Sequence, residues 1–249
     1  MEVNIGGTTY TPGTYKTSKP NAAELANRYI REWDEKRISQ KEAPPSIYPT
    51  ICFSRKIGVG ALEVADILGQ MIGYRVIDRG ILEYIAEEGD LGEKTVALFD
   101  ERYPGKLSEL LAMAFGEKAF IDSDYSKYLF KAVYTISSLG PTIFVGRGTH
   151  LLLPRDRVLA VRFVGSDAHR IQRLAEVFEV DAPEVASKLP SLDKEQRDFF
   201  KRTFGKKDAP LDEFDLGINL EYLTEPKGAA EIVALALKKK FGETAATGS

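Results

Sequence analysis

The stretch Ile51-Cys52-Phe53-Ser54-Arg55-Lys56-Ile57-Gly58-Val59-Gly60-Ala61-Leu62-Glu63 constrains this chain more than any other. It reads as a buried strand, a glycine turn and the first turn of a helix. Glycine lets a backbone approach an anion, and a helix N-terminus offers free N–H groups and the positive end of a dipole. The strong form of such a phosphate loop is G-x-x-x-x-G-K-[ST], with a lysine for the β/γ-phosphates and a hydroxyl for Mg²⁺. Here Ala61 and Leu62 follow Gly60. The shape of a nucleotide site is present while two of its chemical groups are missing. A glycine pair at a strand–helix turn also serves as a plain tight connection, so alone it leaves both readings open.

From Pro49 onward strand and helix patterns alternate, which predicts a parallel α/β sheet. Strands are expected at Thr50–Phe53, Tyr74–Ile77, Thr142–Val145, Val158–Val164 and Phe214–Ile218. Ala61, Val64, Ala65, Leu68 and Ile72 share one helical face behind the glycine loop. Between Asp78 and Gly140 the pattern is helical, around Leu82–Ala86, Leu107–Phe115 and Tyr128–Ser138. Asp167–Phe178 and Asp193–Phe204 read as two polar helices, and Glu225–Phe241 as the last. Residues 1–20 read as a loop or poorly ordered arm, and a helix is expected from Asn21 to about Arg37. Pro44 and Pro45 mark a linker. The expected division is an N-terminal arm and helix over 1–46, one domain over 47–241 and a disordered tail over 242–249. That first helix would pack on the domain or, alternatively, serve as a homodimer arm.

The net charge is −3, so no general nucleic-acid footprint is expected. No apolar run reaches the length of a membrane span, and no secretory signal pattern stands at the N-terminus. The only cysteine is Cys52 and the only histidines are His150 and His169, which disfavours a zinc site and any internal disulfide. The expected setting is the cytoplasm, without nucleic-acid or membrane partners.

Three further places carry candidate chemistry. Gly146-Arg147-Gly148 ends the third expected strand, and open α/β sheets bind ligands at the carboxyl ends of their strands. An arginine there is suited to bidentate phosphate contact, or to a salt bridge with a neighbouring loop. Arg170 and Arg173 lie one helical turn apart, as do Asp193 and Arg197, within a basic run that includes Lys201 and Arg202. Such a run is a solvated helix face or an arginine-bearing lid over a transferring phosphate. Asp78 ends the second expected strand, where it would cap the next helix or contact an acceptor.

Together, in order, these pieces resemble a known family. Ser54-Arg55-x-x-Gly58-x-Gly60, Tyr74-x-x-Ile77-Asp78-Arg79, Val145-Gly146-Arg147-Gly148, Asp193-x-x-x-Arg197-x-Phe199-Phe200 and Phe214-Asp215-Leu216-x-Ile218-Asn219 resemble motifs of the cytidylate kinase-like family. The resemblance implies a three-layer P-loop kinase fold with a five-stranded parallel sheet, a helical acceptor-binding insertion and an arginine-rich lid. It implies phosphoryl transfer from ATP, with Mg²⁺, to a nucleoside monophosphate or other small acceptor. By that analogy Arg147, Arg170, Arg173 and Arg197 would be catalytic. Arg55, Lys56, Gly58, Val59, Gly60, Ala61 and Leu62 would bind nucleotide phosphates, and Asp78 and Arg147 the acceptor. Lys56 or a lid arginine would stand in for the missing loop lysine. No protein metal ligand is assigned, because Leu62 replaces the usual hydroxyl. Gly148 replaces the aspartate that follows this arginine in cytidylate kinases proper. The alternative is a regulatory module that holds nucleotide without turnover.

Overall fold

The computed structural model describes residues 3–5, 7–10, 47–87, 124–207 and 209–243, with single positions at 24, 28, 31, 97, 100, 105 and 109. Within the segment expected to be loop, β1 (Val3–Ile5) and β2 (Thr8–Tyr10) instead pair as an antiparallel hairpin. It closes at Gly7, whose N–H donates to Asn4 Oδ1 at 3.1 Å. The local signal is a β-branched run on either side of two glycines. Ile5 is fully buried, in one cluster with Ile57, Leu174, Phe178, Val185, Leu189 and Leu192. The helix expected over 21–37 lies outside the described residues except at Glu24, Arg28 and Arg31, which are helical and exposed.

The main sheet is parallel, with strand order β4-β5-β3-β6-β7. Its strands are β3 (Thr50–Arg55), β4 (Arg75–Ile77), β5 (Thr142–Val145), β6 (Val158–Val164) and β7 (Leu216–Asn219). The last begins two residues later than expected, because Phe214 still belongs to the turn that precedes it. In register, Cys52 faces Phe144 on one side and Ala160 on the other. Alternation then sends Ile51, Phe53, Ile143, Val145, Leu159 and Val161 to one face, and Cys52, Phe144 and Ala160 to the opposite one. Both faces are apolar, and a parallel sheet needs helices on both.

Helix α1 (Ala61–Ile72) covers the first face with α6 (Pro226–Phe241). The stripe Ala61, Val64, Ala65, Leu68 and Ile72 is buried as its spacing requires. Helices α2 (Arg79–Glu87) and α3 (Asp124–Leu139) cover the other face. The segment 107–115, expected to be helical, lies outside the described residues, as does 244–249 of the expected tail.

Helices α4 (Asp167–Phe178) and α5 (Ala182–Phe204) pack together in the segment where the resemblance implies a lid. Helix α5 starts well before the expected Asp193. Pro183 sits at its start, where a missing N–H costs nothing, and Pro190 lies inside it. An internal proline costs about 3 kcal/mol. Burial of Val185, Leu189 and Leu192 against α4 and Ile5 outweighs that cost. These layers form the three-layer α/β architecture that the motif order implied, with the carboxyl ends of β3, β5 and β6 opening toward α5.

Candidate functional site

The glycine loop turns because Gly58 (φ 86) and Gly60 (φ 93) adopt left-handed backbone geometry. Gly60 caps α1 without any side-chain cap. A Cβ at Gly60 would come within 2.8 Å of Arg173 Nε, and one at Gly58 within 2.8 Å of Leu174 Cδ1. Helix α4 therefore lies directly on the loop, and Arg173 also pairs with Glu63 at 2.9 Å. Val59, Ala61 and Leu62 are all buried in the apolar cluster beneath α1. Among the expected phosphate-binding residues, these three can offer backbone only. With Leu62 packed into the core, the loop has no hydroxyl to anchor Mg²⁺. Among the described residues no group of three or more His, Cys, Asp or Glu is arranged to hold a metal.

Arg147 follows β5 with φ 55, a left-handed conformation that is uncommon outside glycine. Its side chain is only 9% exposed and forms an ion pair with Glu83. The guanidinium lies 4.1 Å over the Phe199 ring, and Nε has no hydrogen-bond partner among the described residues. Glu83 also accepts from Arg79 at 2.9 Å, and Arg79 reaches Glu195 at 2.8 Å. The Arg55 guanidinium lies beside Gly146, where a Cβ would come within 3.4 Å of its Cζ. Burial, with the nearby charges of Arg79, Arg55 and Arg202, lowers the Arg147 pKa to about 8, against the opposing pull of Glu195. Burial alone would raise the carboxyl of Glu195, yet Arg79 and Arg147 hold it below its ordinary value.

Asp78 is buried and its Oδ1 accepts from Ile81 N at 3.0 Å, so it caps α2. Gly148 has φ 67, and a Cβ there would lie 2.8 Å from Phe204 Cζ and closer still to Cε2. The ring of Phe204 thus fills the space an acidic side chain would need at position 148.

Arg170 is fully buried and its polar atoms are all engaged. Its Nε donates to Ile57 O at 2.6 Å, Nη1 to Asp167 at 2.8 Å, and Nη1 and Nη2 to the two oxygens of Asp193. It ties the loop to α4 and α5. Arg197, by contrast, is exposed and lines a cleft of about 310 Å³ with Lys56, Arg162, Lys207, Gln196 and Phe200. On the other side of the loop, a recess of about 330 Å³ is lined by Gly60, Arg173, His169, Leu220, Thr224 and Pro226. The expected lid residues are therefore divided, with Arg170 a strut, Arg173 at the loop and Arg197 in the cleft.

Sequence patterning assigns no role to Arg79, Glu83, Glu195, Arg162 or Phe204. Two signals are nonetheless present. Arg79 and Glu83 are an i, i+4 pair, and Arg162 is a lone charge inside the apolar strand Val158–Val164.

Strand order, a left-handed glycine loop at the end of the central strand and a buried arginine cluster beside it define a three-layer α/β protein with cationic groups gathered at the carboxyl ends of its strands. The sequence profile of the cytidylate kinase-like family matches residues 50–222. The chain belongs to the cytidylate kinase-like family. A crystal structure of an uncharacterized protein from Eubacterium ventriosum ATCC 27560 aligns with TM-score 0.58 over 76% of this chain and 98% of that one, at 17% identity. That likeness concerns the fold. A search of curated proteins returned no match. No helix among the described residues is long and apolar enough to cross a membrane.

Proposed function

We propose that this protein transfers a phosphoryl group from a nucleoside triphosphate such as ATP to a small acceptor that itself carries a phosphate, a nucleoside monophosphate being the first candidate. The arginine cluster carries this reading. Arg147 is buried among Arg55, Arg79 and Arg202, and its proton is held weakly because burial and like charges oppose it. A bound phosphate dianion would reverse that balance, since an opposite charge favours the ionised guanidinium. Arginine also matches phosphate bidentately.

The donor would lie across the glycine loop, with its nucleoside in the recess beside Gly60 and its terminal phosphate toward the cleft that holds Lys56 and Arg197. The loop contributes main-chain N–H groups and the N-terminal end of α1. An oxygen of the acceptor phosphate forms the new bond to the terminal phosphorus. The bond from that phosphorus to its bridging oxygen breaks, and the electron pair leaves with the nucleoside diphosphate. A phosphate oxygen is already ionised at neutral pH, so no protein base is needed, which accords with Asp78 being taken up by its cap. The side chains' part is to position the two phosphates and neutralise their charge.

The test is ADP release from ATP with a panel of nucleoside monophosphates and small phosphorylated compounds, in a magnesium-containing buffer. An Arg147→Ala, Arg197→Ala double variant is the control. Loss of one preorganised charge contact is worth about 10²–10³ in rate, so the control should fall to background. Release by the wild type no greater than by the control defeats the transfer reading. If calorimetry then still finds nucleotide bound, the protein holds nucleotide without turnover.

A further inference from the structure

The cleft at the carboxyl ends of β3 and β6 is lined by four cationic side chains, Lys56, Arg162, Arg197 and Lys207. Its two acids, Asp167 and Asp193, are engaged by Arg170. Lys56, Arg197 and Lys207 are exposed. Arg162 differs in kind. It rises from the middle of the sheet, is buried, and donates from Nη1 to Ser54 Oγ at 2.6 Å. Ser54 is its register partner on β3, one residue before Arg55 and two before Lys56. The guanidinium is therefore held by two adjacent strands rather than by a long free side chain, and little conformational freedom remains to be lost when an anion arrives.

The loop itself supplies no cation after Gly60, because Ala61 and Leu62 lie in the core. A terminal phosphate extending from the loop into this cleft would need a cation already in place there.

We infer that Arg162 is a phosphoryl-binding residue. It contacts the terminal phosphate of the bound nucleoside triphosphate and takes over the task of the missing loop lysine. Ser54 is its positioning residue. The inference rests on the transfer reading above and adds where the donor's terminal charge is held.

A residue touching only the terminal phosphate must affect triphosphate and diphosphate differently. The experiment is calorimetric titration of the full chain with ATP and, separately, with ADP, for the wild type, Arg162→Met, Arg162→Lys and Ser54→Ala. A charge-assisted hydrogen bond is worth about 10- to 100-fold in affinity. Arg162→Met should weaken ATP by that factor and leave ADP within about threefold. Arg162→Lys should recover part of the loss, and Ser54→Ala should show a smaller loss confined to ATP. Equal losses for both nucleotides in variants that melt like the wild type would overturn the assignment, as would unchanged ATP affinity. If Arg162→Met melts early, the ratio of ATP loss to ADP loss in Arg162→Lys and Ser54→Ala decides the matter in the same way. A wild type that binds neither nucleotide removes the transfer reading itself, whereas nucleotide binding without the ATP-selective loss removes Arg162 alone.

Discussion

Replacing Arg147 should make the ligand-free protein more stable. Burial and neighbouring positive charges lower its pKa from the ordinary arginine range to about 8. At about 1.4 kcal/mol per pH unit, keeping this guanidinium charged at neutral pH costs up to about 6 kcal/mol. Its side chain is 9% exposed, so solvent relieves little of this. Arg147→Met removes the charge and keeps much of the apolar stem. Set against that gain is the cation–π contact to Phe199, worth up to about 2 kcal/mol when desolvated. The lost contact to Glu83 adds about 1–3 kcal/mol, although Glu83 keeps Arg79 at 2.9 Å. The net gain is about 1–3 kcal/mol. For a chain of this size that raises Tm by roughly 2–12 °C. Differential scanning calorimetry at pH 7, in buffer free of phosphate and sulfate, reads it directly. The pH dependence carries the same signature. Above about pH 8 the unfolded chain still binds the proton that the folded chain has released. Wild-type stability should therefore rise as pH increases through 8, and the variant should lack that rise. Added inorganic phosphate should stabilise the wild type more than the variant, which keeps the cleft cations but lacks Arg147. An Arg147→Met protein that melts below the wild type in anion-free buffer would refute the claim that this cluster is over-supplied with positive charge.

Other parts of the structure give equally direct expectations. Arg170→Met removes a fully buried guanidinium and leaves the partly buried Asp193 without it, so urea unfolding should show a loss of about 2–4 kcal/mol, the 23% exposure of Asp193 relieving part of the cost of a buried pair. Adding Asp193→Asn should return part of it. Gly148→Ala forces a Cβ against Phe204 at a positive φ and should cost about 1–3 kcal/mol by thermal melt, with partial recovery in the Phe204→Ala background. His150 is buried against Phe214 and Glu213, and burial lowers its pKa to about 4 despite the Glu213 contact. Its neutral form is favoured by folding, so its contribution is whole above pH 6.5 and is lost as pH falls through about 4. The loss is about 3 kcal/mol, which a His150→Gln variant should not show over that range.

Much of the fold is readable because a doubly covered parallel sheet writes itself as apolar runs. Thr142–Val145 and Val158–Val164 are such runs, and α1 shows its stripe at helical spacing. The start of α5 is hidden because proline is a local stop signal. What overrides Pro190 is packing among Val185, Leu189, Leu192 and Ile5, which come from two distant parts of the chain. The β1–β2 hairpin escapes for a related reason. A two-strand unit is marginal alone, and its docking partner is not visible locally. At the site, Arg147 stands out because an arginine between glycines is locally unusual. Arg170 and Arg197 look alike as helical arginines, and only the fold separates a buried strut from an exposed cleft cation. The crowd of arginines around Arg147 gathers from the ends of β3 and β5, the start of α2 and the last turn of α5, so no window of sequence contains it.

The contact between position 148 and Phe204 also says something about the order in which this chain can change over generations. Gly148 stands at the position where the resemblance to cytidylate kinases proper implies an aspartate. Placing an aspartate there in a single step would set its Cβ against the Phe204 ring, which packs beside Phe199 and Phe200 and would have to shift. A smaller residue at 204 relieves that contact, and by itself it gives up the ring packing with Phe199 and Phe200 for no return. Lineages holding this pair are thus steered away from the acid-bearing sequence by the intermediate, whatever the merit of the end point. Variation at 148 and 204 is expected to be correlated among related chains, with the change at 204 the earlier one.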